Sequence, residues 1–139
     1  MKKVAIGIML VFTINIFASQ FNSTMQEYIS ILKAEAKTQN SSFVDFSIKE
    51  GEKIFTTSHI GKKGEKISCT SCHNIDLTTM GENTFTNKLI EPLSPNKNPN
   101  RLSNVKDVQK WLRRNFKDVY NREGTAQEKG DVLYYINSK

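Results

Sequence analysis

The sequence predicts an all-α domain, and three observations carry that expectation. Apolar residues recur every three or four positions in four separate segments. No stretch alternates apolar and polar residues as a half-buried strand would, and polar or proline-bearing loops separate the segments. The 139 residues are the length of one domain, and a hydrophobic fraction of 37% is modest for building a core from side chains alone.

Residues 1–18 read as an address rather than as part of the fold. Lys2 and Lys3 form a positive start, Val4 to Phe17 is almost wholly apolar, and Ala18 supplies a small residue for cleavage. The apolar run is shorter than the ~20 residues of a spanning helix, and Asn15 interrupts it, so export with cleavage is favoured over an uncleaved anchor. The expectation is a periplasmic protein with no stable membrane anchor after cleavage. Removing the two lysines takes the net charge from +6 to +4. That charge can steer the chain toward an anionic partner and falls well short of a nucleic-acid signature.

Residues 19–44 form an N-terminal helical extension, and residues 45–139 form the principal domain. Ser23 can cap a first helix over residues 24–37, in which Met25, Tyr28, Ile29 and Leu32 keep helical spacing. Gln39, Asn40, Ser41 and Ser42 break that pattern. A second helix starts near Asp45 or Ser47 and carries Ile48, Gly51, Ile54 and Phe55. Residues 61–66, rich in lysine and glycine, form a loop, and all three prolines fall in a second loop between Pro92 and Pro99. Helices over residues 105–116 and 126–136 complete the chain. Gly51 and Phe55 share a face, and the missing side chain at Gly51 permits a close crossing with the last helix, which bears Leu133 and Tyr134.

The chemistry is concentrated in Cys69-Thr70-Ser71-Cys72-His73. Two cysteines and two histidines are too few for a multi-ligand zinc site, yet this one stretch uses both cysteines and one histidine. Two thiols separated by two residues can each bond one vinyl-derived carbon of the same haem, and the adjoining histidine then lies beneath the iron. Such a haem c, one per chain, would also supply apolar surface to the core. A thioredoxin-like dithiol uses the same cysteine spacing, but that motif opens a helix directly after a buried strand, and residues 61–66 offer none.

What holds the other face of the iron is less direct. The methionines are Met1, Met9, Met25 and Met80, so none follows Met80. Met80 lies seven residues beyond His73, and a helix of that length advances about 10 Å, little chain for wrapping round a haem edge. It reads as a packing residue. His59, ten residues before Cys69, reads as an exposed loop histidine, although geometry does not forbid ligation. Val108, Trp111, Leu112 and Asn115 form one stripe on their helix, which puts an amide where an apolar side chain is expected. A buried amide without a partner costs about 1–3 kcal/mol, so Asn115 needs a partner: local backbone, or iron.

From Cys69 to Leu133 the chain resembles the oxygen-binding cytochromes c of the sphaeroides haem protein type. The matching stretches are Cys69 to His73, Ile90-Glu91-Pro92-Leu93-Ser94-Pro95, Asn98-Pro99-Asn100-Arg101, Lys110-Trp111-Leu112-Arg113-Arg114-Asn115 and Glu128-Lys129-Gly130-Asp131-Val132-Leu133. The resemblance implies a class I-like cytochrome c fold with an extra N-terminal helix, haem c on Cys69 and Cys72, and His73 and Asn115 as iron ligands. In that family the asparagine matching Asn115 ligates ferric iron and leaves on reduction, opening a site for O2, NO or CO. The resemblance also implies a redox partner cytochrome, a dihaem cytochrome c being one form. Nitric oxide turnover with bound oxygen, or oxygen reduction, is left open as an enzymatic side activity. Two positions depart from the pattern: Phe116 and Gly124 stand where the family usually has two disulfide-bonded cysteines, which bears on the rigidity of Asn115. Lys110, Arg113, Arg114 and Lys117 surround Asn115, as a solvated basic face or as contacts to propionates or an acidic partner. The alternative function is a plain electron carrier, six-coordinate in both oxidation states.

Overall fold

The computed structural model describes residues 21–139, and the export segment assigned to residues 1–18 lies outside the described residues. Helix α1 (Ser23–Gln39) buries Met25, Tyr28, Ile29, Leu32 and Ala36 along one stripe. Its cap is Asn22 rather than the expected Ser23. The Asn22 carboxamide oxygen accepts the Met25 N–H at 2.9 Å, and its amide donates to the Ser103 carbonyl at 2.9 Å. Both residue types cap well, and the second bond, across the fold, explains why the asparagine takes the position.

Helix α2 (Ile48–Thr56) is capped by Ser47, whose hydroxyl accepts the Glu50 N–H. The Ser47 N–H in turn donates to the Asp131 carboxylate at 2.7 Å, so the start of α2 is tied to the last helix, α5 (Ala126–Asn137). These two helices cross at Gly51. A Cβ there would overlap the Asp131 carbonyl and come within 2.8 Å of Tyr135 Cβ. The close crossing read from Gly51 is present, but its partners are Asp131 and Tyr135 rather than Leu133 and Tyr134. Leu133 is buried in the core, and Tyr134 turns toward the other flank, against Phe46 at 5.4 Å and Phe21 at 6.1 Å.

Helix α4 (Val105–Tyr120) runs four residues past its expected end. Its buried residues are Val108, Leu112, Phe116 and Val119, so the apolar period continues beyond residue 116 until Asn121 turns left-handed at φ 54°. Trp111, read as part of that stripe, lies off it and is 46% exposed. Helix α5 opens on a full capping box between Thr125 and Glu128. Met25, Leu32, Phe55, Leu112, Leu133 and Tyr135 belong to one core shared by α1, α2, α4 and α5.

The expectation of no strands needs correction. β1 (His59–Ile60) pairs antiparallel with β2 (Lys66–Ile67), and β3 (Gly81–Glu82) pairs with β4 (Leu89–Ile90). Two-residue ladders leave no room for alternation to show, which is why periodicity misses them. Residues 61–65 are the hairpin turn between β1 and β2, with Gly64 at φ +87°, and Lys66 of the expected loop already belongs to β2, so a short strand does precede the cysteine motif. No helix among the described residues is long and apolar enough to cross a membrane.

Candidate functional site

β2 delivers the chain directly into the cysteine motif. Three hydroxyls lock the entry: the Ser68 N–H donates to Ser71 Oγ at 3.0 Å, and the Ser68 and Thr70 hydroxyls share a bond at 2.6 Å. Cys69 takes helical angles, φ −62° and ψ −33°, and its carbonyl accepts from both Cys72 and His73 N–H at 3.2 and 3.1 Å. The result is a single turn, α3 (Thr70–His73). Residues three and four apart share a helix face, so Cys69, Cys72 and His73 converge on one side.

The turn ends sharply. Asn74 has a positive φ of 62°, and its side chain donates to the Met80 carbonyl at 2.8 Å, closing the return of residues 74–80. Gly81 then lies directly against the Cys72 carbonyl, and a Cβ there would also come within 3.1 Å of His73 Cα. Met80, whose carbonyl takes the Asn74 bond, is 44% exposed. Its reading as a packing residue is therefore corrected: a short turn pinned by Asn74 leaves its side chain outside the core.

Electrostatics suit covalent and coordinate bonding. Burial, with the neighbouring Cys72 as a lesser cause, pushes the Cys69 thiol up to about 12. A redox-active dithiol needs the opposite, a thiol with a depressed pKa. Burial and then the Arg101 charge push the His73 imidazole down to about 4, so at neutral pH it keeps a lone pair for a metal. The His73 ring packs against Phe55 at 6.0 Å. Arg101 is held by bonds to the Pro92 and Glu91 carbonyls at 2.9 and 2.7 Å, which brings the proline loop up to the histidine. Sequence reasoning assigned Arg101 no role, because only the folded loop places its charge near His73.

Two thiols outside any disulfide and one neutral imidazole on one face fit a singly attached haem c. Among the described residues no group of three or more histidine, cysteine or acidic side chains is placed to hold a bare metal ion. The fourth candidate, Asn115, sits on α4 beside the buried stripe and is half-buried. Its carboxamide makes no hydrogen bond to the motif, to local backbone or to any other group among the described residues. One turn before it, Trp111 is flanked by Lys110 at 5.0 Å and Arg114 at 5.1 Å from its ring. Lys117 pairs with Glu123 at 3.3 Å. His59 is in β1 rather than in an exposed loop, half-buried, with its ring tilted against Tyr120 at 4.1 Å. The Tyr120 hydroxyl donates to the Ile54 carbonyl at 2.6 Å, and its phenol is pushed up to about 12, chiefly by burial and next by the nearby Cys69.

Residues 41–136 match the family described as a domain of unknown function, DUF1924. The chain is similar to the cytochrome c-type protein SHP of Cereibacter sphaeroides, with 40% identity over 86 residues, 62% of this chain. The match spans 66% of that relative, just under two thirds of its length. The structure of oxidised SHP, an oxygen-binding cytochrome c, superimposes with a TM-score of 0.72 at 31% identity, covering 83% of this chain and 96% of that one. Oxidised cytochrome c'' of Methylophilus methylotrophus has the same fold, with a TM-score of 0.72 at 23% identity over 82% of this chain and 93% of the other.

Proposed function

The chain belongs to the DUF1924 family and is a monohaem c-type cytochrome similar to SHP, and on that premise we propose that it is a redox-gated binder of diatomic gases. In this reading Cys69 and Cys72 carry the thioether bonds, His73 is the permanent iron ligand, and Asn115 is a second ligand that lets go on reduction. When bound, the haem supplies an iron that changes oxidation state and can take O2, NO or CO in place of a released ligand. Residues 45–139 hold the group, and the extension over residues 19–44 buries the apolar face of α1 on α5.

The observation that carries the reading is Asn115 itself: a half-buried carboxamide on α4 with no hydrogen-bond partner among the described residues. Its oxygen is the better donor, because the nitrogen lone pair is delocalised into the amide. A neutral amide oxygen is a weak ligand that a ferric ion holds better than a ferrous one, which makes release on reduction reasonable. His73, neutral and braced by Phe55, stays in place through the change. The exposed Lys110, Arg113 and Arg114 around Trp111 suit docking of an acidic redox partner, such as another cytochrome. Lys2, Lys3 and the apolar run to Phe17 direct the chain to the periplasm, where haem is attached.

The test compares ferric and ferrous absorption spectra of wild type and Asn115→Ala, each with and without carbon monoxide. The expected result is a ferric spectrum shifted toward a five-coordinate or water-bound form in the variant, with covalent haem retained and the ferrous spectra much closer to each other. Carbon monoxide should bind both ferrous proteins. Identical ferric spectra would remove Asn115 from the iron. A wild-type ferrous protein that ignores carbon monoxide would make the chain a plain electron carrier.

A further inference from the structure

Asn115 is followed by one of the most enclosed side chains of α4, Phe116, which is 4% exposed. The Phe116 ring lies flat over Gly124, in the connection to α5. A Cβ built on Gly124 would stand 2.8 Å from one ring carbon and 2.9 Å from two others. Such separations are shorter than carbon contacts tolerate, so the ring occupies the space that any larger residue at position 124 would need. The glycine does not stand on a loose loop. Arg122 makes a two-pronged bond to the Glu128 carboxylate at 2.7 and 2.6 Å and donates to the Glu123 carbonyl at 2.9 Å. Lys117 reaches Glu123, and Thr125 caps α5, so the residues on both sides of Gly124 are held.

This seat is the restraint on α4 that lies next to Asn115. The Lys62 N–H bonds the Asp118 carbonyl at 2.9 Å, and the Tyr120 hydroxyl bonds the Ile54 carbonyl, which fix where the end of α4 lies. Val108, Leu112 and Val119, buried on the same face, set how the helix is turned as a whole, and Phe116 is the buried contact directly beside residue 115. Consecutive residues on a helix point about 100° apart, so the direction of Asn115 follows directly from where Phe116 is seated.

We propose that Phe116 seated on Gly124 is the positioning contact that keeps Asn115 aimed at the iron, a packed clamp in place of a covalent link. The proposal rests on the reading of Asn115 as the second ligand. A packed clamp contains no bond that a thiol reductant can break, and it can be loosened by a single methyl group. If the clamp loosens, the fraction of ferric protein with Asn115 released rises, and the apparent affinity for an external ligand rises by the same factor.

The experiment is an azide titration of the ferric holoprotein for wild type, Gly124→Ala and Phe116→Leu, each with and without Asn115→Ala. Covalent haem content and helical circular dichroism are checked for every variant. Both single substitutions should bind azide about three- to tenfold more tightly than wild type, because crowding or emptying the seat frees the segment. In the Asn115→Ala background the same substitutions should change azide affinity little, since no amide remains to be released. Wild-type azide affinity in both single variants, while Asn115→Ala alters the ferric spectrum, would overturn the clamp and leave the ligand in place. An equal gain in the Asn115→Ala background would also overturn it, by assigning the effect to general access. Identical ferric spectra of wild type and Asn115→Ala would overturn the ligand reading and the clamp together. Should Gly124→Ala fail to accumulate, Phe116→Leu, which adds no atoms, decides the matter alone.

Discussion

Replacing Gly51 by alanine drives one methyl group into the crossing of α2 and α5. The new carbon would overlap the Asp131 carbonyl and stand 2.8 Å from Tyr135 Cβ. Apolar carbons in contact settle at about 3.5–4.0 Å, so even the milder of these contacts is short by ~0.7 Å or more. Neither neighbour can rotate away, one being backbone and the other a Cβ, and the helices must part. Overpacking costs about 1–3 kcal/mol, and a rigid obstacle on both sides puts this site near the upper figure. Alanine returns about 1 kcal/mol through its better helix propensity. The net loss is about 2 kcal/mol, and at about 4 °C per kcal/mol for a domain of this size the Tm should fall by about 8 °C. Thermal unfolding of the ferric holoprotein by far-ultraviolet circular dichroism measures it, with haem absorbance confirming equal loading. A Tm equal to or above wild type would mean that α2 and α5 are not in backbone contact at Gly51, and the account of the crossing would be wrong.

Burial holds the Asp131 carboxyl above its ordinary 3.8, partly offset by the Ser47 N–H bond. A raised acid contributes stability in full below 3.8 and loses it as pH rises through the folded value, so Asp131→Asn, which keeps an accepting oxygen for Ser47, should match or exceed wild type at pH 7. Tm measured across pH 3–8 checks this, and a neutral-pH loss that persists unchanged at pH 3 would contradict it. Met80→Leu and His59→Gln should leave the ferric spectrum nearly unchanged, because the Asn74 turn leaves the Met80 side chain exposed and the His59 ring packs against Tyr120. Conversion to a high-spin spectrum by His59→Gln alone would make His59 the ligand instead of Asn115. Thr125→Ala should cost about 1 kcal/mol by removing one half of the capping box, read as a lower denaturation midpoint at unchanged slope.

The helices were legible because each announces itself locally. The stripe Met25, Tyr28, Ile29, Leu32 places α1 before any partner is known, and Ser47 marks the start of α2 by bonding within its own first turn. Where local and distant bonds compete, the chain alone does not rank them. Asn22 takes the cap from Ser23 by also bonding Ser103, eighty-one positions away. A stripe through Trp111 and Asn115 ends the expected helix at residue 116, whereas Phe116 and Val119 carry the buried face of α4 onward to Tyr120.

The site divides along the same line. Cys69, Cys72 and His73 converge because one helical turn joins residues three and four apart, so the spacing in the chain already states the geometry. Backbone hydrogen bonds inside a single turn need no knowledge of the rest of the fold. Asn115 could be singled out by its misplaced polarity, yet what surrounds it belongs to tertiary structure: Phe116 resting on Gly124, Asp118 bonded to Lys62, Arg101 set against His73. These contacts join elements whose approach is decided by packing, by which helix can come close at Gly51 and which loop can fold back at Gly81. A linear pattern records which residues want to be buried. Only the packed fold decides against what they are buried, because that depends on the relative placement of segments that share no local hydrogen bonds.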